Sequence, residues 1–347
     1  MTNEELKVKI DEFLSKNKLS NIILSNLNLM IKICELYLEL NEDLVDVKFS
    51  NVNLETYPKL DLFTKIDLVK KLFKKYNYPI SDEMFEKILS DGTIDFREYS
   101  YDKDYLPNIQ SGIVDGSAGI KDDYRFVSTP NTGYITDAVI LAHEVAHYIV
   151  GISENATDHM ISESLAIFTE FLMEDELSGM GYDEEMKYVR KLRFKNTLNN
   201  CYLIRILASI NVYLNFGDLE YDSYKRMYSK MNEEIYKNEI LKVKEYFNIS
   251  IDKLDSQRGL YYIFGCVHAY YMYNKIKNNH SYIDNIYKAY SIPYRDDLGS
   301  FSEALGIYDI VGELKDAITS YKKELNNETK ILWFNLQYYD IITRQFV

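Results

Sequence analysis

Two histidines and a glutamate occur together near the middle of the 347-residue chain, in the segment His143-Glu144-Val145-Ala146-His147. Residues four positions apart on an α-helix lie one turn apart on the same face. His143 and His147 could therefore bind one metal ion together. Glu144 is rotated away from this pair, so it could reach a water molecule on the ion without being a ligand. Zinc suits two neutral imidazoles and a carboxylate, with the fourth position open to water.

The residues around this motif support a metal centre. The chain has only five histidines, and two of them flank a glutamate at helical spacing. Residues 138–150 are mostly apolar, which predicts a helix buried on most sides, and Thr136 or Asp137 could cap its start. Unpaired polar groups are costly in such a helix, and the HExxH pattern is typical of zinc metallopeptidases. The alternative is that His143 and His147 are ordinary core residues with hydrogen-bond partners.

A second helix, predicted from about residue 159 to 177, offers the third metal ligand. Glu163 and Glu170 lie seven residues apart on it, about two turns, and so share a face. Glu163 is the predicted third ligand, which completes a set of two histidines and one glutamate. Glu170 would then hold a ligand histidine through its other ring nitrogen.

Other assignments of the third ligand are open. His159, Glu154 and Glu170 are rival candidates, and the glutamates of the second helix could instead be exposed to solvent. A metzincin site does not fit, because that pattern needs glycine at position 150 and histidine at position 153, where this chain has Val150 and Ser153.

The sequence around these residues resembles the gluzincin peptidases, and more narrowly the oligoendopeptidase F and thimet oligopeptidase family. Residues 137–147, DAVILAHEVAH, are similar to the family pattern D-x-x-x-L-A-H-E-x-G-H. Residues 163–170 are similar to the family's E-x-x-[AS]-x-x-x-E. The chain departs from the family at Ala146, where glycine is usual, and in the fifteen residues between His147 and Glu163, which are several fewer.

The resemblance extends to a Gly- and Tyr-rich helix predicted over residues 259–277, which contains the sequence GCVHAYYMY. In the family this helix supplies hydrogen bonds to the transition state. The resemblance therefore implies catalytic roles for Tyr270 and Tyr273, and for His268 in place of a family histidine that this chain lacks around residues 255–258. A tyrosine hydroxyl directed at a developing oxyanion would stabilise it. The alternative is aromatic core packing, because the chain contains 32 tyrosines.

The elements that position these residues are predicted to be mainly α-helical, with a small β-sheet next to the HExxH helix. Residues 92–135 are rich in glycine and proline, and short β-prone runs occur at residues 109–114 and 124–128. An edge strand there could pair with an extended peptide, although a loop-rich connection is the alternative. We expect an N-terminal helical region over residues 1–91 and a zinc-peptidase catalytic region over residues 92–347, although the two could form one continuous domain.

The composition is that of a folded protein, with 46% hydrophobic and 27% charged residues. The formal net charge of −14 argues against nucleic acid and against an anionic membrane surface as partners. No run of about 18 uncharged apolar residues occurs, so no membrane span is expected. The three cysteines form no CxxC pattern and the first residues do not resemble a signal peptide, so a cytoplasmic location is expected. The oligomeric state stays open.

Together these features predict a zinc-dependent peptidase in which Glu144 assists the attack of a zinc-bound water on a peptide bond. Two alternatives are a non-catalytic metal-binding scaffold or binding protein, and a zinc hydrolase of non-peptide amides.

A peptide carboxylate could meet Arg190, Arg193 or Arg205, although charge pairs on the surface or between helices are the simpler interpretation.

Overall fold

The computed structural model describes residues 1–16, 26–39, 58–97, 117–121, 124–150, 156–229, 231–248, 256–291 and 298–327. These residues are mainly α-helical, which confirms the predicted fold class. The helices are α1 (Asn3–Lys16), α2 (Leu27–Glu39), α3 (Leu62–Lys75), α4 (Asp82–Ser90), α5 (Thr136–Val150), α6 (Ala156–Leu177), α7 (Asp183–Asn200), α8 (Ile204–Phe216), α9 (Tyr221–Met227), α10 (Glu233–Asn248), α11 (Ser256–Asn278), α12 (Ile283–Tyr290), α13 (Leu298–Ala304) and α14 (Ile310–Asn327). A π-helical turn, Ser178–Tyr182, joins α6 to α7, and 3-10 turns, Cys201–Leu203 and His280–Tyr282, precede α8 and α12.

A small three-stranded sheet lies beside α5, as predicted. Its strands are β1 (Ile94–Arg97), β2 (Ser117–Lys121) and β3 (Tyr124–Pro130), in the order β1-β3-β2. The central strand β3 pairs in parallel with β1, with Ile94 opposite Val127, and antiparallel with β2, with Ala118 opposite Val127. The predicted run 124–128 lies in β3, whereas the run 109–114 falls outside the described residues. Both β2 and β3 contact α5, so the sheet supports the HExxH helix.

The N-terminal helices share one hydrophobic core with the rest of the described chain. Ser81 caps α4 by accepting a hydrogen bond from the Met84 amide at 3.1 Å, which is a usual role for a serine before a helix. Helix α2 packs against α8, α11 and α14, and α3 packs against α5. Core residues such as Tyr37 on α2 and Val69 on α3 are fully buried in these contacts. A boundary at residue 91 therefore stays a prediction.

Helix α6 is central to the described fold, since it packs against both α5 and α11. Its contacts with α11 and α14 include aromatic pairs, formed with Tyr270 and Tyr273 of α11 and Tyr321 of α14. Phe171 lies 5.4 Å from Tyr270, 5.2 Å from Tyr273 and 5.2 Å from Tyr321, measured between ring centroids. None of the helices in the described ranges is both long enough and apolar enough to cross a membrane.

Candidate metal centre

The first turn of α5 is fixed by a buried charge network around Asp137. Its carboxylate accepts hydrogen bonds from the amides of Thr132 at 2.8 Å and Gly133 at 3.0 Å, and it pairs with Lys65 of α3 at 2.7 Å. Both charged side chains are 2% exposed. Asp137 therefore accepts hydrogen bonds from the turn that precedes α5. It does not cap the start of the helix, as the sequence had predicted it could. The network joins α5 firmly to α3.

The structure brings the three predicted metal ligands together. The Nε2 atoms of His143 and His147 lie 3.0 Å apart, and oxygens of Glu163 lie 3.6 Å from His143 Nε2 and 3.5 Å from His147 Nε2. Ligands at tetrahedral zinc distances of about 2.0–2.1 Å are separated by roughly 3.3 Å. The donor set and its spacing therefore fit a zinc ion. Helix α5 supplies both histidines and α6 supplies the glutamate.

The other ring nitrogen of each histidine has its own partner on α6. His143 Nδ1 lies 2.5 Å from Glu170 Oε1, and His147 Nδ1 lies 2.6 Å from Ser162 Oγ. Such contacts orient the rings and leave both Nε2 atoms directed at the metal position. Glu170 is where the sequence predicts it. Ser162 was not predicted from the sequence, because its contact with His147 depends on how α5 and α6 pack together.

The environment of His143 is strongly electronegative. Burial disfavours its charged form, but the hydrogen bond that His143 donates to Glu170, together with the charges of Glu170, Glu144 and Glu163, outweighs burial and raises the pKa of His143 to about 9. Burial would likewise raise the pKa of Glu170, yet the nearby Arg193 and His143 lower it. These charges favour the protonated form of His143 when no metal ion is bound, so a metal ion at this position would compete with that proton.

Glu144 is almost completely buried beside the ligand histidines. Its exposed fraction is 5%, and burial raises the pKa of its carboxyl even though His143 and His147 act in the opposite direction. The Oε2 atom has no hydrogen-bond partner among the described residues. A buried polar atom of this kind indicates a position for a water molecule or a ligand. The burial of Glu144 and its unpartnered oxygen are compatible with such a group near the candidate ligand histidines.

Two tyrosines with predicted catalytic roles make core contacts instead. Tyr270 is fully buried and stacks on Tyr321 with ring centroids 4.1 Å apart. Tyr273 is 1% exposed, and its hydroxyl donates to Asp175 at 2.8 Å. These contacts correspond to the core-packing alternative, because α11 packs along α6 on the face that carries both rings. A catalytic role would require either side chain to leave the core.

His268 is also placed in the core. It is fully buried, with Nδ1 3.0 Å from the Phe264 carbonyl and Nε2 2.9 Å from Ser302 Oγ. Burial lowers the pKa of His268 to about 4, so the ring is neutral. Its partners are supplied by α11 and α13, and none of them belongs to the ligand set. Of the rival third ligands, Glu154 and the His159 side chain lie outside the part of the chain that the structure describes.

The fold is similar to that of known peptidases. A solved structure of PZ peptidase A with an inhibitor superimposes with a TM-score of 0.53 at 12% identity, over 93% of this chain and 61% of that chain. A candidate oligoendopeptidase F from Bacillus anthracis str. Ames gives a TM-score of 0.47 at 13% identity, over 94% of this chain and 60% of that one. Neither family models nor curated protein sequences gave a match.

These comparisons confirm the predicted resemblance at the level of the fold. The mainly helical architecture is similar to that of PZ peptidase A, and at 12% identity this similarity concerns the fold alone. The chain spans about three fifths of the length of the solved structures, 61% and 60%. The group His143, His147 and Glu163 could hold a metal ion on this fold.

Proposed function

We propose that the chain is a zinc-dependent peptidase that hydrolyses peptide bonds by Glu144-assisted attack of water. The observation that carries this proposal is the convergence of His143, His147 and Glu163, whose donor atoms lie 3.0–3.6 Å apart. Two imidazoles and one carboxylate are a common donor set of catalytic zinc, with a fourth position for water or substrate. A zinc ion held there would lower the pKa of water and polarise the scissile carbonyl.

The residues of this chain have distinct parts in the proposed reaction. Glu144 accepts the proton of the attacking water and delivers it to the leaving amine. Glu170 and Ser162 keep the rings of His143 and His147 oriented through their Nδ1 atoms. Burial of Glu144 supports its part as a base, since burial raises the pKa of the carboxyl and a carboxylate with a raised pKa accepts a proton more readily. The likeness in fold to a PZ peptidase supports a peptide as the substrate class.

Replacing Glu144 with glutamine tests the proposal. The variant should bind one zinc per chain as the wild type does, because the ligands are unchanged. Its rate on a quenched-fluorescence peptide library should fall by about 100- to 10,000-fold, the usual contribution of a general base. A variant that retains both zinc and full peptidase activity contradicts the mechanism.

The same assay separates the two alternatives. A wild-type chain that binds zinc but cleaves neither peptides nor other amides would be a metal-binding scaffold. Cleavage of small amides without cleavage of peptides would identify a hydrolase of another substrate class. In each case the activity must disappear with a chelator and return when zinc is added back. His143→Ala serves as the variant without a complete ligand set.

A further inference from the structure

We propose that Arg193 is a positioning residue of the metal centre, which acts on His143 through Glu170. Arg193 lies on α7, Glu170 on α6 and His143 on α5, so the link crosses three helices. The inference rests on the proposed function, because the atom that it positions is a proposed metal ligand. The charged group of Arg193 contacts Glu170, Glu174 and Phe171, so we assign it a positioning role and not a catalytic one.

The link uses both oxygens of one carboxylate. Glu170 Oε1 lies 2.5 Å from His143 Nδ1, and Glu170 Oε2 pairs with Arg193 Nη2. The carboxylate cannot turn about its own axis without breaking one of these contacts. The Nδ1 proton of His143 is therefore held toward Glu170, and the lone pair of Nε2 is left for the metal ion.

The guanidinium of Arg193 is itself held in place. The same Nη2 group also pairs with Glu174, whose side chain is fully buried. The guanidinium carbon lies 4.7 Å from the centroid of the Phe171 ring, which is within the range of a cation–π contact. Two carboxylates and an aromatic ring thus fix the planar group, in an arrangement that a flexible lysine ammonium would not reproduce.

Burial makes this cation necessary for Glu170. The Arg193 and Glu170 side chains are only 12% and 15% exposed. A buried carboxylate that loses its cationic partner is strongly destabilised. Without Arg193, Glu170 would no longer be held as an oriented acceptor for His143. Loss of Arg193 should therefore weaken metal binding, because Arg193 contacts Glu170 and Glu170 contacts His143.

Arg190 offers a matched control on the same helix. It lies three residues earlier, is 6% exposed, and pairs with Glu174 at 2.9 Å and with Asp175 at 2.6 Å. Both arginines pair with Glu174. The second carboxylate that Arg190 pairs with is Asp175, whereas the second one for Arg193 is Glu170. Removing Arg190 therefore disturbs the same buried charge network without breaking the link to His143.

The experiment measures the zinc dissociation constant of the full chain by competition with a chromophoric chelator. Arg193→Gln should weaken zinc binding by about 10- to 100-fold, the usual effect of losing an outer partner of a metal ligand. Arg190→Gln should bind zinc about as tightly as the wild type, and Arg193→Lys should lie between the two. In a Glu170→Gln background, Arg193→Gln should add little, because the link is already broken.

A spectroscopic readout separates positioning from general damage. The chain has five histidines, so the ring N–H signals of a ¹⁵N-histidine sample form a small set. The downfield Nδ1–H signal of His143 should shift or disappear in Arg193→Gln and stay in Arg190→Gln.

Several outcomes would overturn the proposal. Wild-type zinc affinity in Arg193→Gln, or an equal loss in both arginine variants, would show that Arg193 does not act through His143. A loss that persists undiminished in the Glu170→Gln background would also contradict it. If Arg193→Gln fails to fold, Arg193→Lys decides, and wild-type affinity in that variant overturns the link. A wild-type chain that binds no zinc would instead refute the proposed function.

Discussion

At the residue scale, the two proposed histidine ligands are held by partners of different charge. His143 meets the carboxylate of Glu170, whereas His147 meets the hydroxyl of Ser162. A carboxylate partner makes an imidazole more basic and a stronger ligand than a neutral hydroxyl does. Both partners fix the ring orientation. The Glu170 side therefore combines orientation with charge, and the Ser162 side contributes orientation alone.

Ser162→Ala should weaken zinc binding by about 10-fold, because the His147 ring loses the contact that orients it. Ser164→Ala is a matched control, since Ser164 is also buried on α6 but bonds to the Ile161 carbonyl and to Tyr290. The measurement is the zinc dissociation constant of each variant. Equal affinities for Ser162→Ala and the wild type would contradict the role given to this hydroxyl.

The buried His268 should make the stability of the chain depend on pH. Its pKa is about 4 in the folded chain, against about 6.5 when unfolded, so the unfolded chain binds more protons between these values. The free energy of unfolding should therefore fall by about 3 kcal/mol as the pH drops from 6.5 to 4. The free energy of unfolding of the His268→Gln variant should fall less over this pH interval. Denaturant unfolding of both metal-free proteins tests this, and parallel pH curves would contradict it.

The sequence predicted the proposed metal ligands because their spacing on two helices determines which atoms can meet. His143, His147 and Glu163 each lie on an inward face that helical periodicity alone defines. The contact of Ser162 with His147 and the link from Arg193 through Glu170 were not predicted, since these partners are set by how the helices pack together. Tyr270 and Tyr273 were given catalytic roles by resemblance, although both rings lie in the core. Helix α11 is apolar on most sides, so the pattern of polar and apolar residues does not show which of its side chains lie in the core.

At the scale of elements, a glycine sets how closely α11 approaches α6. A Cβ atom added at Gly265 would lie 3.0 Å from the Glu163 Cβ and 3.2 Å from the Glu163 carbonyl carbon. These contacts are tighter than ordinary van der Waals distances, and one of them is to backbone. The absence of a side chain at Gly265 therefore helps to set the position of the third proposed ligand.

Gly265→Ala should push α6 away and weaken zinc binding by about 10-fold or more, as expected when the support of a ligand is disturbed. Gly259→Ala is the control on the same helix, because its added Cβ would meet only side-chain atoms of Leu203 and Asn200. Side-chain ends can move aside, so the control should keep wild-type zinc affinity. Wild-type affinity in Gly265→Ala would show that this packing does not position Glu163.

The helices were predicted better than the strands. Ser81 marks the start of α4 because a serine before a helix caps it through its own hydroxyl, which is a local interaction. Strands β1 and β2 have only four and five residues, and β2 contains a glycine that favours a loop. Both depend on pairing with β3, which a short sequence does not reveal. The prediction that Asp137 caps α5 was wrong, because its carboxylate accepts hydrogen bonds from the turn before the helix.

At the scale of the whole molecule, the described helices enclose the proposed metal centre between α5 and α6. The N-terminal helices contribute to the same core, and the likeness to PZ peptidase A covers 93% of this chain. At 12% identity this likeness shows a similar fold alone. This chain spans 61% of the length of PZ peptidase A, so the substrates of this chain stay part of the proposal.

The most direct test of the central claim is a crystal structure of the zinc-loaded chain with anomalous diffraction at the zinc edge. One zinc ion should lie about 2.0–2.2 Å from His143 Nε2, His147 Nε2 and an oxygen of Glu163, with the remaining position open. An anomalous peak elsewhere, or none at this position in a chain loaded with equimolar zinc, would contradict the account.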